Sequence, residues 1–180
     1  MRSTRGSVPV FLGLFLIVMS VATARADDIS GVISATRTIT RDSQLVGNVT
    51  CTVTGAACIV VGAPGITLDL GGFSITGQGD AATGCGGGQT AGEAGILIAG
   101  PRGVVVRGPG IIQRFRGHGV QISGGSTRVL VTQVTASTNC LSGIFITGAT
   151  ANDVEDSISV RNGNNTVSYT HLTLPTNREV

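Results

Sequence analysis

Gly95-Ile96-Leu97-Ile98, Gly119-Val120-Gln121-Ile122 and Gly143-Ile144-Phe145-Ile146 repeat one short pattern, each copy starting 24 residues after the one before. A second apolar triplet falls between the copies, as Val104-Val105-Val106, Val129-Leu130-Val131 and then Val154-Glu155-Asp156. One further copy lies upstream, Ile66-Thr67-Leu68-Asp69-Leu70, preceded by Cys58-Ile59-Val60-Val61. Polar or glycine-rich breaks separate the triplets and leave no room for a helix of period 3.6. Short alternating strands at a constant interval describe a solenoid of stacked coils. Each turn of chain then gives one strand to each of several parallel sheets, with the next turn about 4.8 Å away. The pattern predicts inward ladders at Ile96/Val120/Ile144 and Ile98/Ile122/Ile146. Gly95, Gly119 and Gly143 should fall at one corner, where a missing Cβ allows close backbone approach.

Coils are expected over Cys58–Ala94, Gly95–His118, Gly119–Ser142 and Gly143–Asn165, with residues 27–57 as an N-terminal cap covering the first exposed edge. The coil from Cys58 is longer than its neighbours. Its excess is the glycine-rich stretch 78–94 (QGDAATGCGGGQTAGEA), expected to leave the stack as a loop, where function tends to sit.

Composition agrees with many strands and tight turns. Residues 27–165 have no Lys, Trp, Met or Tyr and only three Phe, at 73, 115 and 145. They carry eight Arg against nine acids, net −1, so no basic face for nucleic acid is implied. Four cysteines, Cys51, Cys58, Cys85 and Cys140, allow three pairings. Cys51–Cys58 is the first choice, because six intervening residues make a turn in which the Cβ atoms can approach. Cys85 is expected in a mobile loop, with Cys140 two coils further along. No CxxC pair is present, which disfavours zinc.

The two ends read differently from the middle. Arg2 and Arg5, the apolar run Val8–Val21, and Ala24-Arg25-Ala26 have the layout of a secretory signal over residues 1–26, cut after Ala26. The run is shorter than the roughly 20 apolar residues a spanning helix needs. Export to the periplasm or the exterior is therefore expected, with no membrane attachment after cleavage. Val167–Thr176, VSYTHLTLPT, resembles the in-frame translation of a transposon-end sequencing adapter, with Thr166 as the hybrid codon. Residues 166–180 are accordingly expected to be a non-native tail that does not continue the ladder.

The stretch Gly65–Gly77, GITLDLGGFSITG, followed by GILI, GVQI and GIFI, resembles the exported bacterial right-handed parallel β-helix proteins of the pectin-lyase-like superfamily. Here Gly71-Gly72-Phe73 replaces the usual Asn-Gly-His. The resemblance spans roughly residues 45–165 and implies an all-β, right-handed parallel β-helix. It implies polysaccharide binding or processing, with acidic polysaccharide as partner, and Ca²⁺ as the cofactor of the lyases. Enzyme class stays open between lyase and glycoside hydrolase, because one superfold carries many chemistries.

The candidate residues follow from that comparison. Gly117-His118-Gly119 matches the Gly-His-Gly element of the polygalacturonase branch, but the companion Asn-Thr-Asp motif and Asp pair are absent. His118 is thus expected in a turn facing water. Arg107, Arg114 and Arg116 are candidates for a lyase base, although Asp69, Asp80 and Glu93 stand far apart in sequence and form no obvious Ca²⁺ cluster. The repeat offsets put Asp69, Arg107 and Thr132 outward on adjacent coils. Asp69 and Arg107 are then either an exposed ion pair or a contact for a sugar carboxylate. The other function class is a structural or adhesin-like rod, favoured by the lack of Tyr and Trp for sugar stacking.

Overall fold

The computed structural model describes residues 26–163 and the backbone of 167–169. The expected signal segment lies outside these residues, apart from Ala26. The chain is a parallel β-helix whose coils supply strands to two sheets, one flat and one folded in two.

The flat sheet runs β2 (Arg37–Ile39), β4 (Ile59–Val61), β7 (Ile96–Ala99), β9 (Val120–Ser123), β11 (Ile144–Ile146) and β14 (Val167–Tyr169). The larger sheet holds β1 (Asp27–Ile33), β3 (Ser43–Cys51), β5 (Thr67–Asp69), β8 (Val105–Gln113), β10 (Leu130–Ser137) and β12 (Asp153–Glu155). It also holds β6 (Ser74–Thr76) and β13 (Ile158–Val160). The first half of β8 pairs with β5 and its second half with β6, while β10 pairs with β12 and then β13. A register shift between Thr132 and Val134 breaks β10 at the same level, where Gln133 is left-handed. The larger sheet therefore bends into two faces, and each coil has three sides.

The inward ladders fall in the expected register. Ile96, Val120 and Ile144 pair in sequence, as do Ile98, Ile122 and Ile146, and all six are buried. Both ladders continue backwards through Ile59 and Val61, and the second reaches Ile39. Single coils cannot bury such residues, so the apolar stabilisation is a property of the stack. The corner glycines are explained by close approach, since their φ is not left-handed. A Cβ on Gly95 would lie 2.7 Å from the Gly119 carbonyl oxygen, and one on Gly119 2.5 Å from that of Gly143.

Residues 27–57 open the stack, and one feature at its other end differs from expectation. Strands β1 and β2 pair in parallel with β3 and β4, and Ile29, Ile33, Leu45 and Val49 join the common core. This stretch carries the strand alternation without the corner glycine that marks later coils. At the other end, Val167–Tyr169 continues the flat sheet on β11 in register, with Val167 opposite Ile144. An open parallel edge pairs with whatever alternating segment follows it, and Val-Ser-Tyr has strand propensity. The rest of the expected tail lies outside the described residues.

Because Ile122 is buried between Ile98 and Ile146, Ile122→Ala should lower the unfolding free energy by about 2–5 kcal/mol. Ile122→Asp should prevent folding of the flanking coils. Denaturant melts of the two variants check this, and near-wild-type stability for Ile122→Asp would contradict the inward ladder.

Candidate functional site

The second side of the helix carries one polar row. Asp28, Gln44, Asp69, Arg107, Thr132 and Glu155 are successive partners across β1, β3, β5, β8, β10 and β12. Each alternates with an inward residue such as Leu68, Val106 or Val131, which is why the row faces out. The Arg107 guanidinium donates to Asp69 Oδ2 through both Nη2 and Nε, the latter at 3.2 Å. The Gly71 N–H donates to Asp69 Oδ1 at 2.9 Å. Burial pushes the Asp69 carboxyl up, but the Arg107 and Gly71 hydrogen bonds outweigh it and hold the group below its ordinary range. Gln44 donates to Asp28 at 2.8 Å, and Asp42 accepts the Thr67 N–H at 2.8 Å. Together Asp42, Gln44, Thr67, Asp69 and Arg107 line a cleft of about 320 Å³.

The remaining arginine candidates lie at the corner between the third side and the flat sheet, and each meets one of the acids that look isolated in sequence. Arg114 lies 3.8 Å from Asp80, and Arg116 Nε is 2.7 Å from Glu93. The Glu93 carboxylate also accepts the Gly55 N–H at 2.7 Å, from an earlier coil. Arg116 and Glu93 are largely shielded from water. With its guanidinium committed to Glu93, Arg116 is a tether between the corner and the 78–94 stretch.

Both acids belong to the 78–94 stretch, which is a strap and not a mobile loop. Cys85 is bonded to Cys140, and Cys51 to Cys58. Gln89 donates to the Cys140 carbonyl at 2.8 Å, and the Thr90 N–H donates to the Arg116 carbonyl at 2.9 Å. A short 3₁₀ turn, Ala81–Thr83, is capped by the Asp80 side chain. The strap thus ties Gly55, the 114–117 corner and Cys140 together along the outside of the stack.

His118 is not in a turn facing water. It is buried at 6 % exposure, its ring stacked on Phe145 with centroids 4.3 Å apart. Its Nδ1 accepts the Ser142 N–H at 3.2 Å, which puts the proton of the neutral ring on Nε2. Burial lowers its pKa to about 4, so it is neutral at pH 7.

Asp42 and Asp69 share a cleft, and glycosidic hydrolysis needs two carboxyl groups on one sugar. A general acid requires a raised pKa, however, and Asp69 is held low. Nor do the carboxylates fit a Ca²⁺ site. Asp69, Asp80 and Glu93 each face a different arginine, and among the described residues no group of three or more His, Cys, Asp or Glu could hold a metal.

Sequence reasoning missed an amide pair of the buried Asn139 and the half-buried Asn162. Asn139 Nδ2 donates to Asn162 Oδ1 at 3.0 Å, and Asn139 Oδ1 accepts the Phe115 N–H. The available signal was two asparagines, 23 residues apart, preceding consecutive corners.

No protein-family model matches the chain, and neither a curated protein nor a solved structure matches it. Among the described residues no helix is long and apolar enough to cross a membrane. The two disulfides suit an oxidising compartment.

Two measurements test the corner. Replacing Cys85 and Cys140 together by Ser opens a covalent loop with a sequence separation of 55, and should cost about 2–4 kcal/mol in denaturant unfolding. No change would mean the strap bears no constraint. For His118, the unfolded chain takes up a proton first as pH falls, because the folded pKa is lowered to about 4 from an ordinary 6.5. Its contribution is complete above pH 6.5 and is lost progressively down to pH 4. That part of the acid destabilisation, up to about 3 kcal/mol, should vanish in His118→Asn; identical pH profiles for the two proteins would refute it.

Proposed function

We propose that the chain is an exported, non-catalytic parallel β-helix domain that binds polysaccharide in the cleft over β3, β5 and β8. The supporting observation is the in-register polar row Gln44–Asp69–Arg107, which lines that cleft from three successive coils. Rows spaced about 4.8 Å apart on a rigid sheet present hydrogen-bonding groups to successive positions of an extended ligand. The Asp69–Arg107 pair fixes both side chains in advance, so little rotamer freedom is lost on binding. The mutual neutralisation of the pair suits sugar hydroxyls better than carboxylates. The layout of residues 1–26 and the two disulfides support export. The resemblance to pectin-lyase-like proteins supports a polysaccharide over other extended ligands, with polygalacturonate and alginate as the acidic examples.

The competing proposal is a structural or adhesin-like rod. It draws support from the charged side chains at the corners, which tie coils together and leave Arg114 and Arg116 engaged.

Affinity electrophoresis against a neutral polysaccharide and against polygalacturonate separates the two. Gln44→Ala and Arg107→Ala should each weaken retention by about tenfold in both gels, without release of new reducing ends. A folded wild-type protein retained by neither gel would leave the rod. Release of reducing ends that disappears in Asp69→Asn would overturn the non-catalytic reading.

A further inference from the structure

We infer that the polar cleft is completed only by processing. The cut expected after Ala26 frees the Asp27 amine, and this ammonium joins Gln44, Asp69 and Arg107 as a ligand-binding group. This role rests on the export and polysaccharide readings above.

The expected cut falls at the wall of the cleft. Ala26 lines the space together with Asp42, Gln44, Thr67, Asp69 and Arg107, and β1 begins at the next residue. In the uncut chain an uncharged peptide bond joins Ala26 to Asp27 at this wall. Cutting it removes Ala26 and leaves a primary amine, largely protonated at pH 7. The Asp27 N–H already donates to the Asp42 carbonyl at 2.9 Å. The ammonium keeps that bond with one proton and gains two more on the side that Ala26 occupied. A chain terminus frays unless it is tied down. Asp27 is tied by its pairing with Ser43 of β3, and its carboxylate lies 3.6 Å from Arg41 Nε. The new donor therefore stands fixed at the first coil, at the head of the polar row, and little freedom is lost when it binds.

The charges of the cleft are unbalanced until the cut is made. Asp69 is neutralised by Arg107. The Asp42 carboxylate accepts the Thr67 N–H and has no cationic partner among the described residues. The freed ammonium supplies the second positive charge, so two acids and two cations share one cleft. A charged donor also binds a sugar hydroxyl more strongly than a neutral amide does. The whole chain contains no lysine, so after the cut the α-amine is its only primary amine. Acetylating the exported, folded protein therefore removes this one charge and touches no other amine.

N-terminal sequencing of the exported full chain should begin at Asp27, and any other first residue overturns the proposal. Thermal melts and affinity electrophoresis against a neutral polysaccharide then compare wild type and Asp42→Asn, each before and after acetylation. Asp42→Asn keeps an acceptor for the Thr67 N–H and removes only the charge. Acetylation should lower the wild-type melting temperature by about 2–4 °C, the scale of one contact in a domain of this size. It should leave Asp42→Asn nearly unchanged, which is the sign of a coupled pair. Retention of the wild type should weaken about tenfold on acetylation. Equal melting shifts in the two proteins, or none, place the amine outside the cleft and overturn the proposal whatever the gels show. Coupled melts with unchanged retention, while Arg107→Ala still weakens it, overturn the ligand role and leave the polysaccharide reading intact. Coupled melts with no retention of any protein remove the polysaccharide reading, and the ligand role of the amine with it.

Discussion

Every strand among the described residues depends on the coil beside it for its backbone hydrogen bonds. Their pairings are all parallel, so no hairpin among them closes a pair locally, and a strand such as Ile144–Ile146 pairs with β9 and β14. Because the coils are held one strand spacing apart, equivalent residues meet at the same depth in every turn. Apolar positions then become continuous ladders, and a substitution is felt by both neighbouring coils. At the corners the same spacing brings backbone against backbone. Gly95 faces the Gly119 carbonyl and Gly119 that of Gly143, so a Cβ has no room there. Where polar groups enter the interior, they too are matched coil to coil. Asn139 Nδ2 donates to Asn162 Oδ1 of the next coil, and the buried Ser126 hydroxyl donates to the Ser123 carbonyl while accepting the Gly100 N–H.

The parts of this design that were legible in the sequence are those that repeat at fixed spacing. The Gly-hydrophobic pattern at 95, 119 and 143 located the inward ladders and the corner, because both follow from the coil length alone. The earliest coils were not legible. Ile29, Leu45 and Val49 lie in the same core, but their strands lack the corner glycine that marks the later coils. The Asp69–Arg107 pair was readable, because the triplet offsets put both residues outward on adjacent coils. The ion pairs of the 78–94 segment were hidden, because Asp80 and Glu93 lie in an insertion that no repeat offset places against Arg114 or Arg116. The His118 environment was not readable either, since its burial depends on Phe145 and Ser142 from the next coil.

The strap shows how a solenoid can resist unwinding at its weakest place. Corners expose backbone groups and bury little apolar area, so local opening should begin there. The 78–94 segment runs along one line of corners and fastens coils that are not adjacent in sequence. Glu93 holds Gly55 and Arg116 at once, and Cys85 reaches Cys140. Arg114 and Arg116 look like catalytic bases only while the acids on the strap are ignored. With Asp80 and Glu93 in place, both are restraints on the corner.

Interior and corner positions are thus closely specified, and the outward-facing residue of each strand is the one left free to vary. The three sides have used that freedom differently. The flat sheet presents Thr38, Val60, Leu97, Gln121 and Phe145 in one register, a mostly apolar row. The second side presents the Asp28-to-Glu155 row of charges and amides. The third presents Ser74, Ile111, Thr135 and Ile158, alternating hydroxyl and apolar groups. None of these choices alters the ladders behind them, because alternation sends each outward side chain away from the core. Surface chemistry can therefore differ between sides at little cost to the fold. The corner joining the apolar row to the charged one carries a groove lined by Val60, Pro64, Ala99, Pro101 and Arg102. A guanidinium among prolines at that place combines the characters of both rows.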